Sequence, residues 1–473
     1  GRAAVACRIA VDELLGDHGF HRGEMEELLG TLGELPDLWD FMVGVWEDDS
    51  VPSRFQPEGG QETYVRGLKE LTSKPVVGVG RFTSPDTMVR MVRQGVLDFI
   101  GAARPSIADP FLPTKIAEGR TDEIRECIGC NMCVSGDFTM SPIRCTQNPA
   151  MGEEWRRGWH PEWFRHTAEP EKVLVVGGGP AGLEAAMACG KQGHDVVLVE
   201  AGRHLGGRVA NESRLPGLAE WRRVIDYRLD QIDRLANVSY YFESAMTADE
   251  ILEYGFAHIA VATGATWRRD GVGHANPDPI PIDPAADVLT PDDLFAGARP
   301  RHDRVIVFDD DHYYLGGVIA ELLVGEGHEV TLVTPAADAS AWTQHTLEHA
   351  RIQTRLLELD VVIHANHKVV EVSPDAVTTS SVFTDRPHGF DGSSVMMITS
   401  RHPNEALYLE LAALRGRWNR GDLKSVRPVG DAFSPGTIAS AIWDGRRFAE
   451  ELGVAAEDQY FLRDVPSVRA ADS

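Results

Sequence analysis

The sequence predicts an α/β protein built from the C-terminal half of a (β/α)8 barrel, a cysteine-rich loop segment and two Rossmann-like domains. Three observations carry this. Short apolar strands alternate with helical patterns over the first hundred or so residues, four cysteines follow as C-x2-C-x2-C-x11-C, and a glycine-rich strand–turn–helix comes next and is partly repeated further on. The expected boundaries are 1–118 for the barrel half, 119–168 for the cysteine segment, 169–295 with 405–473 for the first Rossmann-like domain, and 296–404 for the second.

The barrel reading rests on strands at Ala4 to Ile9, Leu38 to Gly44, Val76 to Val79 and Leu97 to Ile100, separated by helical stretches such as Pro85 to Gln94. Four strands are half of an eight-stranded barrel, and the chain opens with Gly1-Arg2. The N-terminal barrel half is therefore expected to be missing. The turns G-V-G-R (Gly78 to Arg81) and G-A-A-R-P-S (Gly101 to Ser106) fall at the C-terminal rim, where barrels bind phosphate. Gly80 and Ala103 let backbone amides approach, and Arg81 and Arg104 add charge and forked donors. Two tight βα connections would use the same glycines.

Cys127, Cys130, Cys133 and Cys145 place three thiolates in one tight loop and a fourth further along. That spacing suits a [4Fe-4S] cubane. Zinc sites more often join two separate C-x2-C pairs, and zinc stays open as the alternative. Cys7 and Cys189 lie outside the set among small apolar residues, which points to a reducing, cytoplasmic compartment. No apolar run reaches the ~18 residues of a bilayer span. With 46 basic against 72 acidic residues the net charge is -26. Nucleic acid and anionic lipid are repelled, and cationic ligands are favoured.

V-L-V-V-G-G-G-P-A-G (Val173 to Gly182), with Glu200 closing the next strand, matches a dinucleotide fingerprint in spacing and order. Gly177, Gly179 and Gly182 permit the turn, the approach of pyrophosphate and close helix packing, and Glu200 can accept from ribose hydroxyls. L-G-G-R (Leu205 to Arg208, with Gly207), A-T-G-A and V-G-D (Val429 to Asp431) resemble flavin-dependent disulfide reductases. ADP and FAD both fit such a site. The unit recurs as V-I-V-F-D-D-D-H-Y-Y (Val305 to Tyr314), where Asp309, Asp310 and Asp311 replace the glycines. Bulk and negative charge there oppose NAD(P)H.

The stretches R-F-T-S-P-D (Arg81 to Asp86), I-G-A-A-R-P-S-I-A-D-P-F-L-P (Ile100 to Pro113), C-I-G-C-N-M-C and C-T-Q-N-P-A-M-G-E-E-W-R-R-G-W-H-P-E (Cys145 to Glu162) resemble the trimethylamine dehydrogenase family over the whole chain. The resemblance implies FMN covalently held in the barrel, a [4Fe-4S] cluster on the four cysteines, ADP in the first Rossmann-like domain, and a homodimer. The cysteine tethering the flavin would lie in the absent half. Arg8 matches the family arginine near the flavin N1 and O2 edge. Tyr313 matches a tyrosine at the docking surface for electron-transferring flavoprotein, although a surface tyrosine needs no such role.

Within the family pattern Trp46 and Asp49 match a substrate-cage tryptophan and an active-site aspartate. An indole face attracts an alkylammonium. Glu47, Asp48 and Asp49 in a row also read as a solvated loop. Asp137 stands where trimethylamine dehydrogenase has a second cage tryptophan, and a carboxylate there suits a primary ammonium or an imidazole N–H. The Trp46/Asp137 pair resembles histamine dehydrogenases. The expected reaction is oxidative deamination of a primary amine. Dimethylamine or trimethylamine oxidation, an NADPH-dependent dienoyl-CoA reductase and a non-catalytic electron relay are the other readings.

Overall fold

The computed structural model describes residues 3–420 and 423–454. The end of the expected 405–473 segment lies outside them. Four strands, β1 (Ala6–Ala10), β2 (Leu38–Met42), β3 (Val76–Gly78) and β4 (Phe99–Ile100), form one parallel sheet in sequence order. Successive parallel neighbours joined by helices are the walk of a β/α barrel. Helices Arg22–Leu32 and Pro85–Arg93 bury Met25, Leu29, Met88 and Met91 against Trp39, Phe41 and Val76 of the strands.

The nucleotide-type domain centres on Lys172–Val176, with Asp195–Val199 and Val238–Tyr241 on one side and His258–Val261 and Ser425–Pro428 on the other, all parallel. Its first strand is buried over Val173 to Val176, as expected of a strand covered on both faces. The order reverses at this strand, so a crevice opens at its C-terminal end. The second domain repeats the plan. Arg304–Asp309 lies between Glu329–Thr334 and Ser394–Ile398, and an antiparallel flap of three strands (His367–Val372, Ala376–Ser381, Pro387–Asp391) follows.

The three α/β units lock together through charge. Arg54 Nη2 meets Glu321 Oε2 at 3.1 Å, Arg351 Nη2 meets Asp48 Oδ1 at 2.8 Å, and Arg81 is paired with Glu220. Among the described residues no helix is long and apolar enough to cross a membrane.

Candidate functional site

The rim of the four-stranded sheet gathers charge. Register pairing sets Arg8 of β1 beside Asp40 of β2, with Nη1 3.5 Å from the Asp40 carboxylate and Nη2 3.4 Å from Asp49 Oδ2. Asp49 ends the short helix Trp46–Asp49 that follows β2, and its Oδ1 accepts from Gln61 Nε2 at 3.0 Å. Both Asp49 oxygens thus have a partner. Burial pushes the Asp40 carboxyl upward against the pull of Arg8.

Trp46 is 43% exposed at this rim and stacks on Phe138, with ring centroids 5.5 Å apart and planes 20° apart. Phe138 lies on the helix Met132–Thr139 that follows the third cysteine, and its ring is 6.2 Å from His345 of the second domain. His345 in turn meets Trp342 at 5.6 Å, edge to face. Asp137 is exposed. The aromatic wall beside Trp46 is therefore Phe138, one residue past the position expected to carry specificity. Neither Phe138 nor His345 was singled out by motif, and a helical offset of one residue is the local signal that bears on Phe138.

At the ends of β3 and β4 the backbone and the arginines part company. Arg81, in a left-handed conformation at φ 54°, is buried and turned onto Glu220, with Nη2 also donating to Gln56 O at 3.2 Å. Arg104 donates to Ser50 O at 3.1 Å, Val51 O at 3.2 Å and Asn131 Oδ1 at 2.7 Å. The Arg104 guanidinium thus reaches the cysteine segment through Asn131, while that of Arg81 ties the barrel to the nucleotide-type domain. A flavin phosphate at this rim fits the amides near Gly80 and those of the first turn of helix Ala103–Ala108, which have no intrahelical acceptor.

The four cysteines are neighbours, for each of Cys130, Cys133 and Cys145 is raised by charge on the others as well as by burial, the larger cause. Cys145 is pushed up to about 11. Backbone amides point at the sulfurs: Gly129 N lies 3.3 Å from Cys127 Sγ and Gln147 N lies 3.3 Å from Cys145 Sγ. Thr146 Oγ1 is 3.2 Å from Cys130 Sγ. Among the described residues no three His, Cys, Asp or Glu side chains converge as for a single metal ion. Four thiols, with backbone amides aimed at Cys127 and Cys145, are a donor set that a [4Fe-4S] cluster could use.

The nucleotide fingerprint folds as its chemistry requires. Gly177 has φ 107°, and a Cβ there would strike Ala262 O at 2.3 Å. A Cβ on Gly182 would come within 1.9 Å of Gly177 O, so close packing of helix Pro180–Lys191 on the turn needs glycine. At Gly179 a Cβ would meet nothing nearer than Gly207 Cα at 3.9 Å, which leaves the place open for a phosphate. Glu200 accepts from Gly178 N at 2.8 Å and Gly202 N at 2.7 Å. Gly177, Gly179, Glu200, Gly207 and Arg208 all line one cavity of about 700 Å3.

The second domain's corresponding loop is filled from within. The Asp309 carboxylate accepts from His312 N at 3.0 Å and Ser340 N at 3.3 Å, taking amides that would otherwise face an anion. Asp309 and Asp310 are fully buried. Tyr313 packs edge-on against Tyr314 and Trp342, each at 4.7 Å, and shares a cavity wall with Cys130.

Comparisons with known proteins agree with this architecture. Residues 1–123 match the NADH:flavin oxidoreductase / NADH oxidase family, residues 172–238 match FAD dependent oxidoreductase, and residues 289–401 match the OYE-like second alpha/beta domain. The chain is 38% identical over 479 residues to dimethylamine dehydrogenase of Hyphomicrobium sp. (strain x), covering 95% of this chain and 65% of that protein. The solved histamine dehydrogenase from Rhizobium sp. 4-9 superposes with a TM-score of 0.95 at 51% identity, covering 98% of this chain and 68% of that one. The 6-hydroxypseudooxynicotine amine oxidase from Pseudomonas geniculata N1 superposes with a TM-score of 0.91 at 44% identity, covering 95% and 67%. On this identity and coverage, the chain belongs to the trimethylamine dehydrogenase-like family of flavin-dependent oxidoreductases.

Proposed function

We propose that this chain is part of an amine dehydrogenase that oxidatively deaminates a primary amine, histamine, to an aldehyde and ammonium. The observation that carries the reading is the rim constellation. An exposed indole, Trp46, stands three residues from Asp49, whose carboxylate is held by Arg8 and Gln61. The likeness to a histamine dehydrogenase at 51% identity supports the substrate.

FMN would accept the electrons of the oxidation, and a [4Fe-4S] cluster on Cys127, Cys130, Cys133 and Cys145 would pass them singly to an electron-transferring flavoprotein. The remaining chemistry belongs to side chains. Trp46 offers its free face to the ammonium. Asp49 orients the amine and takes part in proton handling, with Gln61 fixing its carboxylate. Asp137, exposed on the helix Met132–Thr139, offers a charge-assisted hydrogen bond to a second N–H such as an imidazole's. Arg8 would supply positive charge to a bound flavin. ADP would be held in the cavity at Gly177, Gly179 and Glu200, and Tyr313, which shares a cavity wall with Cys130, would lie toward the carrier. The assembly is a cytoplasmic homodimer.

One observation favours a second substrate. Phe138 stacked on Trp46 makes an apolar aromatic corner, which suits the methyl-covered cation of dimethylamine. Product analysis of the holoenzyme decides between them. Ammonium and an imidazole aldehyde from histamine support the first reading, and formaldehyde from dimethylamine with histamine untouched supports the second.

A further inference from the structure

The nucleotide cavity has a neighbour. A second cavity of about 310 Å3 shares Arg208 and Ile438 with it in a common wall. This inner cavity is aromatic, lined by Trp267, Tyr313 and Trp342, and Cys130 forms part of it. Trp267 Nε1 is buried there without a hydrogen-bond partner. A planar heteroaromatic ring reaching inward from the diphosphate end of a nucleotide would arrive in this space.

What separates the two cavities is charge. Asp431 lines the nucleotide side, Arg401 lines the aromatic side, and their ion pair spans the partition. Arg208 approaches the same Asp431 oxygen at 3.6 Å and holds Glu212 at 2.8 Å. Arg401 Nη2 donates to Gly436 O at 2.7 Å, and Gly436 N donates to Asp431 Oδ1 at 3.0 Å. The Arg401 guanidinium lies over the Trp267 ring at 5.3 Å. Both Asp431 oxygens are taken, and the Arg401 side chain is only 9% exposed. Parting the pair would strand charges away from water.

We propose that this partition sets the ligand of the nucleotide site. It admits a nucleoside diphosphate, ADP, and excludes FAD, whose isoalloxazine would have to pass between Arg401 and Asp431 to reach the aromatic cavity beside Cys130. The inference rests on the nucleotide reading of the Gly177 to Glu200 site. Removing the guanidinium opens the passage and leaves Asp431 Oδ2 only the longer contact to Arg208, so that it can accept from the ribityl hydroxyls of FAD.

The test compares wild-type holoenzyme with Arg401→Ser, each incubated with equal ADP and FAD, repurified, acid-denatured and chromatographed. Wild type is expected to release stoichiometric ADP and no FAD, and Arg401→Ser to raise the FAD-to-ADP ratio by at least about tenfold. Arg401→Lys, which keeps a cation at the partition, should stay close to wild type. Stoichiometric FAD from wild type overturns the partition and leaves the nucleotide site standing. Neither nucleotide from wild type takes down the underlying reading instead. An Arg401→Ser protein that releases ADP alone removes Arg401 from the role. Should that variant not fold, titration of wild type with FAD after depletion of its nucleotide decides the point, since FAD binding as tight as ADP contradicts the proposal.

Discussion

Arg351 donates to Asp48 across 2.8 Å, and this bond ties helix His349–Glu358 of the second α/β domain to the four-residue helix that carries Trp46 and Asp49. A domain whose phosphate loop is filled by Asp309 thus packs against the rim that carries Trp46 and Asp49. The turn ahead of helix His349–Glu358 brings His345 against Phe138, and Thr346 O accepts from Asn131 Nδ2 at 3.0 Å beside the second cysteine.

Arg351→Ala should loosen the Trp46 helix more than it unfolds the protein. Both partners are about a quarter exposed, so the pair is worth about 0.2–1 kcal/mol. The expected outcome in steady-state kinetics is a KM for amine raised by about two- to fivefold with kcat nearly kept. An unchanged KM would detach the second domain from substrate binding.

Phe138→Ala removes the ring that fixes one face of Trp46. An aromatic pair contributes about 0.5–1.5 kcal/mol beyond its buried area, which corresponds to a loss of about two- to tenfold in kcat/KM. Phe138→Tyr should restore most of it. If Phe138→Ala changes nothing while Asp137→Asn raises KM for histamine steeply, the carboxylate and not the ring sets specificity.

Cys145→Ala should abolish the broad visible absorbance of an iron–sulfur cluster and drop bound iron, with zinc absent from both proteins by elemental analysis. The amides of Gln147 and Asn148 that face Cys145 would then lose their acceptor. Zinc at one per chain in wild type would reverse the assignment of the four cysteines.

Glu348 predicts a pH dependence of stability. It is buried beside Arg54, and burial, outweighing the Thr346 hydrogen bond and Arg54, pushes its carboxyl to about 7 from 4.5. The folded state therefore holds this proton at pH values where the unfolded chain has released it. Stability from this group is full below 4.5 and falls as pH rises through 7, by on the order of 3 kcal/mol. Glu348→Gln should flatten the decline of Tm between pH 4.5 and 7 relative to wild type. Parallel Tm–pH curves would show that Glu348 does not titrate as its burial requires.

Features that depend on neighbours in the chain were legible in the sequence. The glycines at 177, 179 and 182 carry their roles in their spacing, and β1 to β4 lie where alternating apolar runs place them. Features made by contacts between distant segments were not. Arg81 has the composition of a phosphate ligand, yet Glu220, 139 residues away, claims its guanidinium. Arg104 turns inward because Asn131 and two carbonyls offer a buried charge its hydrogen bonds. Phe138 meets Trp46 only because the helix after Cys133 sets its ring toward the rim. The Arg401–Asp431 partition joins residues from a strand and a turn that no motif links.

The central claim is that the rim around Trp46 and Asp49 oxidises a cationic amine. Anaerobic visible-spectrum titration of the holoenzyme with histamine tests it most directly, with dimethylamine, trimethylamine and NADPH run alongside. Bleaching of the flavin band at stoichiometric histamine, with NADPH inert, is the predicted result. Bleaching by NADPH with no response to any amine would contradict the account and make the protein a reductase.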